Sequence, residues 1–362
     1  MRNSTVPALG GHLAVSSGLQ NDQEMPRLSV ALCTYNGEKH IQAQLDSIVG
    51  QTRSPDELVV RDDGSTDDTV AIVEAFARTA PFPVRVLASG ENLGYVRNFE
   101  TVISACAGDL IALSDQDDVW LPHKLEALER ALGEDPDVLL AFSDAALVGP
   151  ALEPLGKTMW QAVGLNASAR ADFDTGGVSS PLLRGFYVTG ATVCFRASLV
   201  PLALPIDLPH WHDAWLALAA AAYGRLALVD EPLILYRQHG QNTLGAPSTE
   251  SKFNRIRKAL WGRAMGERPL SLRVRPETEA LVEPFLRDVA AYALAARDRF
   301  SDSPSPEFRR HLALRAAHAA RRAAMPHRSR VSQTTAVIRS FLAGNYHKFD
   351  TGKGPVILDL RR

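Results

Sequence analysis

Between residues 27 and 142 the chain alternates regularly between two kinds of segment. Short apolar runs have the length of buried strands and fall at residues 28–33, 57–60, 84–87, 110–113 and 138–142. Between them, apolar residues recur every three or four positions, as Ile41, Leu45 and Ile48 do. Repeated strand–helix units predict an α/β fold in which a mainly parallel central sheet carries helices on both faces.

Beyond residue 150 this alternation weakens. We expect a strand at 188–195, a helix beginning near His212 and ending before Gly224, and strands at 226–229 and 233–236. After Thr243 the sequence becomes rich in Arg and Ala and has a helical pattern. We therefore predict three regions, which are a disordered N-terminal tail at 1–26, an α/β domain at 27–245 and a mainly helical C-terminal region at 246–362.

Composition limits which partners and which cellular compartment are expected. The formal net charge of −2 does not suggest a nucleic-acid partner. The three cysteines stand singly among apolar neighbours, which favours reduced packing thiols over disulfides or a zinc site. Residues 1–26 lack a sustained hydrophobic region, and the apolar stretch 215–229 is shorter than the roughly 20 residues of a membrane span. We expect a cytoplasmic chain, with peripheral attachment to the plasma membrane left open.

The strand at 110–113 ends directly in a group of carboxylates. Asp115, Asp117 and Asp118 follow it, with Gln116 between the first two. Crowded carboxylates repel one another and are costly to remove from water, so a positive charge is expected beside them. Hard oxygen ligands favour Mg²⁺ or Mn²⁺, which keep places for water and phosphate. The pattern predicts a metal–diphosphate site.

Polar clusters follow the other three strands as well, and parallel strands bring such loops to one edge of the sheet. These clusters are Thr34-Tyr35-Asn36, Asp62-Asp63 and Asn92-Leu93-Gly94. In a nucleotide pocket, Tyr35 would stack on a base and Asp62 would accept from a pyrimidine imide N–H. Gly94 would allow close backbone approach, and Arg97 would balance phosphate charge. Taken alone, Asp62-Asp63-Gly64-Ser65 is an ordinary turn, and Ser65 with Asp68 also resembles a helix capping box.

Together these motifs resemble the inverting family 2 glycosyltransferases of the GT-A fold. The run Asp115-Gln116-Asp117-Asp118-Val119-Trp120, with the later Leu235-Tyr236-Arg237-Gln238-His239, is similar to a rhamnosyltransferase-like branch. The resemblance implies that a sugar is moved from a nucleotide-diphosphate donor to a hydroxyl, with a divalent metal and inversion at the anomeric carbon. A UDP- or dTDP-linked donor is favoured because of Asp62. The implied acceptor is a glycan or a lipid-linked oligosaccharide of cell-surface polysaccharide synthesis.

The resemblance also assigns roles to individual residues. Asp213 is the candidate catalytic base, although it would also suit a helix cap. Asp117, Asp115 and His239 are the candidate metal ligands, with a structural histidine as the alternative for His239. The nucleotide group is Thr34, Tyr35, Asn36, Asp62, Asp63, Asn92, Gly94, Arg97 and Gln116. The sugar and acceptor group is Asp118, Trp120, Gly190, His212, Trp215 and Arg237.

Further alternatives remain open at this stage. Trp160, Trp211 and Trp215 are candidate sugar platforms, but tryptophan is more often a core residue. Basic residues interspersed with apolar ones at 252–275, and again from Arg309 to Arg322, suit an anionic membrane surface or solvated helix faces. The competing functions are a sugar-1-phosphate nucleotidyltransferase and a non-catalytic sugar-nucleotide or glycan-binding module. The absence of a glycine-rich basic loop after the first strand disfavours the nucleotidyltransferase.

Overall fold

A computed structural model describes residues 25–87, 91–133, 135–174, 182, 187–206, 212–239 and 276–323. Within them, nine strands form one sheet. The strands are β1 (Leu28–Thr34), β2 (Glu57–Asp62), β3 (Val84–Leu87), β4 (Leu110–Ser114), β5 (Val119–Trp120), β6 (Val138–Val148), β7 (Pro154–Thr158), β8 (Val193–Arg196) and β9 (Arg225–Arg237).

Helices cover the sheet and continue beyond it. They are α1 (Ile41–Val49), α2 (Thr69–Ala77), α3 (Tyr95–Ala105), α4 (Lys124–Leu132), α5 (Met159–Val163), α6 (Ala167–Asp174), α7 (Val200–Ala203), α8 (His212–Tyr223), α9 (Pro276–Arg299) and α10 (Pro306–Ala323). Among the helices of the described segments, none has the length and apolarity needed to cross a membrane.

The sheet order explains why the polar loops meet. The strands run in the order β3-β2-β1-β4-β8-β6-β9-β5, with β7 paired to β6. The first four of these are parallel, and Thr34 at the end of β1 is in register with Asp62 at the end of β2. Their carboxyl ends therefore share one edge, as predicted. The second half is mixed, because β8 runs antiparallel to both β4 and β6 while β6 and β9 are parallel.

Three local predictions are corrected by the structure. Residues 190–192 form a 3₁₀ turn, so β8 begins only at Val193. The two strands expected at 226–229 and 233–236 are one strand, because the pairing of β9 with β6 shifts register around Pro232 instead of ending there. Ser65 does not cap α2, since its hydroxyl donates to Asp62 and the helix begins at Thr69.

The two C-terminal helices pack against α8. The Trp215 ring on α8 is fully buried, with ring centroids 5.1 Å from Phe300 and 6.2 Å from Tyr292. Its indole N–H donates to the Ala203 carbonyl at 2.8 Å. Trp215 is therefore a core residue, and so is Trp160 at 2% exposure, which corrects the prediction that they are sugar platforms. Trp211 and the basic stretch at 252–275 lie outside the described residues.

We expect Trp215→Ala to lower the free energy of unfolding by about 3–5 kcal/mol, because a large buried ring leaves a cavity between α8 and the C-terminal helices. Chemical denaturation monitored by circular dichroism, a signal that does not depend on the replaced tryptophan, measures this free energy. Trp215→Phe keeps most of the ring volume and should lose less than half as much. An alanine variant as stable as the wild type would show that the helices do not depend on this contact.

Candidate active site

The loops after β1 and β2 are joined by hydrogen bonds. The Asp63 N–H donates to the Thr34 carbonyl at 2.8 Å, and the Asn36 N–H donates to the Ser65 hydroxyl at 2.8 Å. The Asn36 side-chain oxygen in turn accepts from the Thr66 N–H at 2.9 Å. Thr34 and Asn36 therefore hold the two loops together at the carboxyl edge of the sheet.

Asp62 is fully occupied by this turn. Its Oδ1 accepts from the hydroxyls of Thr34 and Ser65, and its Oδ2 accepts from the N–H groups of Gly64 and Ser65 at 2.9 and 2.7 Å. A carboxylate has about four acceptor positions, and the side chain is 4% exposed. The prediction that Asp62 binds a pyrimidine imide is therefore corrected, because all its lone pairs already serve the loop.

Asp63 performs the same task for the loop after β3. Its two oxygens accept from the N–H groups of Leu93 and Gly94 at 2.7 and 2.9 Å, and Arg61 donates to it at 3.0 Å. Gly94 has φ +78°, a conformation that favours glycine. Asp63 is 3% exposed and positions this loop, and its predicted contact with a nucleotide stays a prediction.

More exposed groups surround these buried anchors. Tyr35 is 49% exposed and so can stack on a ligand ring. Asn92 is exposed at the start of the loop, and its side-chain oxygen accepts from the Gly94 N–H at 3.2 Å. Arg97, half-exposed in the first turn of α3, pairs with Glu100. These three residues are accessible to a ligand, and their roles in nucleotide binding stay predictions.

Gln116 links the acidic motif to the loop after β1. Its amide accepts from the Tyr35 N–H at 2.7 Å and donates to the Tyr35 carbonyl at 2.9 Å. Gly37 makes room for it, because a Cβ there would lie 2.2 Å from Gln116 Oε1. Gln116 was predicted to bind the nucleotide, but the geometry makes it a clamp on the Tyr35 backbone.

We expect Gln116→Ala to weaken nucleoside-diphosphate binding by about 3- to 10-fold, because two hydrogen bonds that hold Tyr35 in place are lost. Isothermal titration calorimetry measures the effect. Gln42→Ala is the matched control, since the side chain of Gln42 bonds to the exposed Asp46 on the same helix, away from Tyr35. Equal affinities for wild type and Gln116→Ala would show that the clamp does not support the ligand.

The acidic motif is held to the end of β9. His239 Nε2 lies 2.7 Å from Asp117 Oδ2. Two residues before His239, the Arg237 N–H donates to Asp118 Oδ1 at 3.0 Å. The Arg237 guanidinium donates to the Asp117 carbonyl at 2.7 Å. Arg237 is 4% exposed, so it anchors the motif and does not reach the acceptor side, which corrects its predicted role.

Asp118 and Trp120 are also buried, at 1% and 2% exposure. Neither can contact a sugar directly, contrary to the prediction. Lys124 is fully buried beside them, with its Nζ 3.2 Å from the centroid of the Trp120 ring. Burial lowers the pKa of Lys124 to about 7. Burial and then the charges of Asp117 and Asp115 raise the pKa of Asp118 well above its usual range.

The remaining carboxylates crowd one another. Removal from water, then the charges of Asp117 and Asp213, raise the pKa of Asp115. Asp213 comes from α8, so the structure brings it close to a motif almost a hundred residues earlier in the chain. Asp213 is the second residue of α8, and its Oδ1 accepts from the N–H of the next residue, Ala214, at 2.7 Å, while its Oδ2 accepts from the Gly190 N–H at 3.1 Å.

The donor chemistry of this edge fits a divalent cation. Carboxylates whose pKa values are raised by burial and then by one another lie together, and the buried Asp118 Oδ2 has no hydrogen-bond partner in the described part of the chain. Within those same residues, no set of three His, Cys, Asp or Glu side chains is arranged to hold a metal. Asp117 and His239 are the pair already in contact, and Mg²⁺ commonly takes few protein ligands beside phosphate and water.

Two residues near this pair were not predicted. His40 stacks on His239 with ring centroids 5.0 Å apart, and no local pattern relates positions 40 and 239. Lys124 could have been found, because it stands four residues before Leu128 on the apolar face of α4. A lysine on such a face signals a buried charge.

Comparisons with known proteins give a family match and several relatives. Residues 29–197 match the family model for glycosyl transferase family 2. An uncharacterized glycosyltransferase of Nostoc sp. is 27% identical over 238 residues, which span 62% of this chain and 69% of that protein. The putative glycosyltransferase EpsH of Bacillus subtilis is 27% identical over 223 residues, spanning 60% of this chain and 62% of EpsH.

A solved structure shares the fold. The crystal structure of S. aureus TarS 1–349 in complex with UDP-GlcNAc has a TM-score of 0.50 and 17% identity, and the match covers 82% of this chain and 90% of that one. The predicted GT-A-type α/β fold is confirmed. The family match identifies residues 29–197 as a glycosyltransferase domain. Over the alignment, the chain spans less than two thirds of EpsH.

Proposed function

We propose that this glycosyltransferase moves a sugar from a nucleotide-diphosphate donor to an acceptor hydroxyl with inversion, in the presence of Mg²⁺ or Mn²⁺. The observation that carries the proposal is the place of Asp213, which is bonded to the 190–192 turn that packs on β4. It is near enough to the acidic motif that its charge, after burial and the charge of Asp117, contributes to the raised pKa of Asp115. In this proposal, Asp213 serves the acceptor hydroxyl and the Asp115–Asp117 motif serves the diphosphate, at one edge of the sheet.

In this mechanism Asp213 takes the proton of the acceptor hydroxyl as its oxygen attacks the anomeric carbon. The bond between that carbon and the diphosphate oxygen breaks in the same step, and the nucleoside diphosphate leaves with its electron pair. One displacement from the opposite face inverts the configuration and needs no protein nucleophile. Hydrogen bonds to both oxygens of Asp213 fix the orientation of its carboxylate.

The diphosphate side would be held by Asp117 and His239 through the cation, with Arg97 as a direct phosphate partner. The chemistry that a bound Mg²⁺ or Mn²⁺ supplies is stabilisation of the negative charge on the departing diphosphate. Tyr35 is the residue proposed to stack on the base, supported by its exposure and by the Gln116 clamp. Because Asp62 is saturated, its side chain no longer supports a choice of base.

We propose a UDP- or dTDP-linked donor, supported by the UDP-GlcNAc named for the S. aureus neighbour of like fold. Rhamnose, a glycan or lipid-linked acceptor and a role in cell-surface polysaccharide synthesis follow from the resemblance of the Asp115–Trp120 and Leu235–His239 motifs. Contact with an anionic membrane belongs to the same proposal, supported by the basic residues at 252–275.

A thermal-shift screen tests the proposal. Nucleoside diphosphates and their sugars are added with and without Mn²⁺, and a ligand at about 100 times its Kd should stabilise the protein by about 2.7 kcal/mol. We expect one nucleotide class to raise the melting temperature, and to do so mainly when Mn²⁺ is present. No stabilisation by any diphosphate–metal combination would contradict the proposal.

A further inference from the structure

The residue before the candidate base has an unusual environment. His212 is 8% exposed, and its ring stacks on Phe99 of α3 with centroids 4.2 Å apart and planes 12° apart. The Tyr95 ring meets it edge-on at 5.9 Å. Neither ring nitrogen has a hydrogen-bond partner among the residues that the structure describes. Aromatic packing therefore fixes this ring, and burial lowers its pKa, which keeps it neutral at neutral pH.

Gly190 lies directly against the His212 ring. A Cβ at position 190 would lie 2.9 Å from His212 Nε2, closer than real Cβ atoms approach, and 3.4 Å from His212 Cε1. Gly190 does not have a positive φ, so its backbone conformation does not require glycine. Space beside the His212 ring is the reason that no side chain fits here.

This close approach has a consequence for Asp213. The Gly190 N–H donates to Asp213 Oδ2 at 3.1 Å, and the distance depends on how near the 190–192 turn comes to the start of α8. The His212 ring, held by Phe99, sets that separation from one side. On the other side, the absence of a side chain at Gly190 allows the turn to come this close.

We propose that His212 and Gly190 are positioning residues that orient the carboxylate of Asp213 toward the acceptor, an inference that rests on the proposed role of Asp213 as the base. His212 acts as a spacer between α3 and the 190–192 turn, and Gly190 delivers its N–H to Asp213. This differs from the predicted role of both residues as acceptor contacts. Both nitrogens of His212 are buried, which makes a direct hydrogen bond to an acceptor unfavourable.

A double-mutant cycle tests the coupling. We expect Gly190→Ala to reduce kcat by about 10- to 100-fold, because a small displacement of a catalytic group has effects of this size. Donor KM should stay within 2-fold. In the His212→Ala background the ring is gone and the new Cβ has room, so adding Gly190→Ala should change kcat by less than about 3-fold. Gly50→Ala is the matched control, since its Cβ would meet nothing closer than 3.5 Å.

His212→Phe separates the spacer from a ligand. Phenylalanine keeps a flat ring against Phe99 and removes the nitrogens, so kcat and acceptor KM should stay within about 3-fold of wild type. A 10-fold rise in acceptor KM would make His212 an acceptor ligand and overturn the inference. Equal costs of Gly190→Ala in both backgrounds, or no cost in either, would overturn it as well.

Asp213→Asn is measured in parallel to separate the two proposals. If that variant is inactive while Gly190→Ala behaves as wild type, the positioning role fails and the base stands. If Asp213→Asn is fully active, the proposed base fails and the positioning role falls with it. Nucleoside-diphosphate binding and the folded fraction of each variant at the assay temperature show whether a loss of kcat reflects unfolding, since the inference requires every variant to be folded and to bind the nucleotide under assay conditions.

Discussion

Asp213→Asn is expected to reduce kcat for sugar transfer by about 10²- to 10⁴-fold, the usual contribution of a positioned general base. Asparagine is close in shape to aspartate, and its side-chain oxygen still accepts from a backbone N–H at the start of α8. The amide has no basic oxygen that can take the acceptor proton. Donor binding should therefore remain within about 2-fold, because Asp213 lies on the acceptor side in the proposed mechanism.

Steady-state kinetics with saturating donor, together with calorimetric donor binding, measure both effects. Asp230→Asn is a suitable control, since Asp230 is an exposed carboxylate of β9 that pairs only with Arg170 among the described contacts. Retention of more than a tenth of the wild-type kcat by Asp213→Asn would remove Asp213 from the role of base. A loss of donor binding would move it to the diphosphate side.

Asp117→Asn is expected to lower kcat/KM by about 10²- to 10³-fold, the scale for loss of one group that stabilises developing charge. The neutral amide is a weaker ligand for a divalent cation than a carboxylate. The group that lies 2.7 Å from His239 would change from a carboxylate oxygen to a neutral amide. We therefore expect the Mn²⁺-dependent part of the thermal stabilisation by donor to disappear with the activity.

The control for this variant lies at the other end of the same strand. Asp109 precedes β4, and its side chain accepts from the Arg27 N–H at 2.9 Å, away from the carboxyl edge. Asp109→Asn should keep the Mn²⁺ response. If Asp117→Asn still shows the full Mn²⁺-dependent shift, another residue holds the cation and the proposed ligand pair is wrong.

The sequence was sufficient for the first half of the sheet and for the edge where the site lies. The strands β1 to β4 are short apolar runs separated by helical periodicity, and parallel pairing of such units leaves few arrangements. The second half was harder, because β7 (Pro154–Thr158) is mostly exposed and has no apolar pattern. The two strands expected at 226–229 and 233–236 are one strand, because a register shift against β6 keeps the pairing continuous around Pro232.

The roles of individual acidic residues could not be read from the sequence. Asp62 and Asp63 are residue types that often bind ligands in loops. Which of their oxygens can accept a hydrogen bond from a ligand depends on how many N–H groups of the chain already donate to them. Arg237 and Trp215 suited a sugar site by residue type, and only the packing shows that they are buried. Asp213 was predicted because the family that the sequence resembles has an acidic residue at the start of a helix, and its proximity to Asp115 is a tertiary property.

Combined ³¹P and ¹H NMR of the reaction with the donor found in the thermal-shift screen tests the central proposal most directly. We predict that the nucleoside diphosphate is released intact and that the anomeric proton of the first-formed product shows the configuration opposite to that of the donor. A product with retained configuration would contradict inversion. Cleavage within the diphosphate, with release of a sugar phosphate, would contradict glycosyl transfer itself.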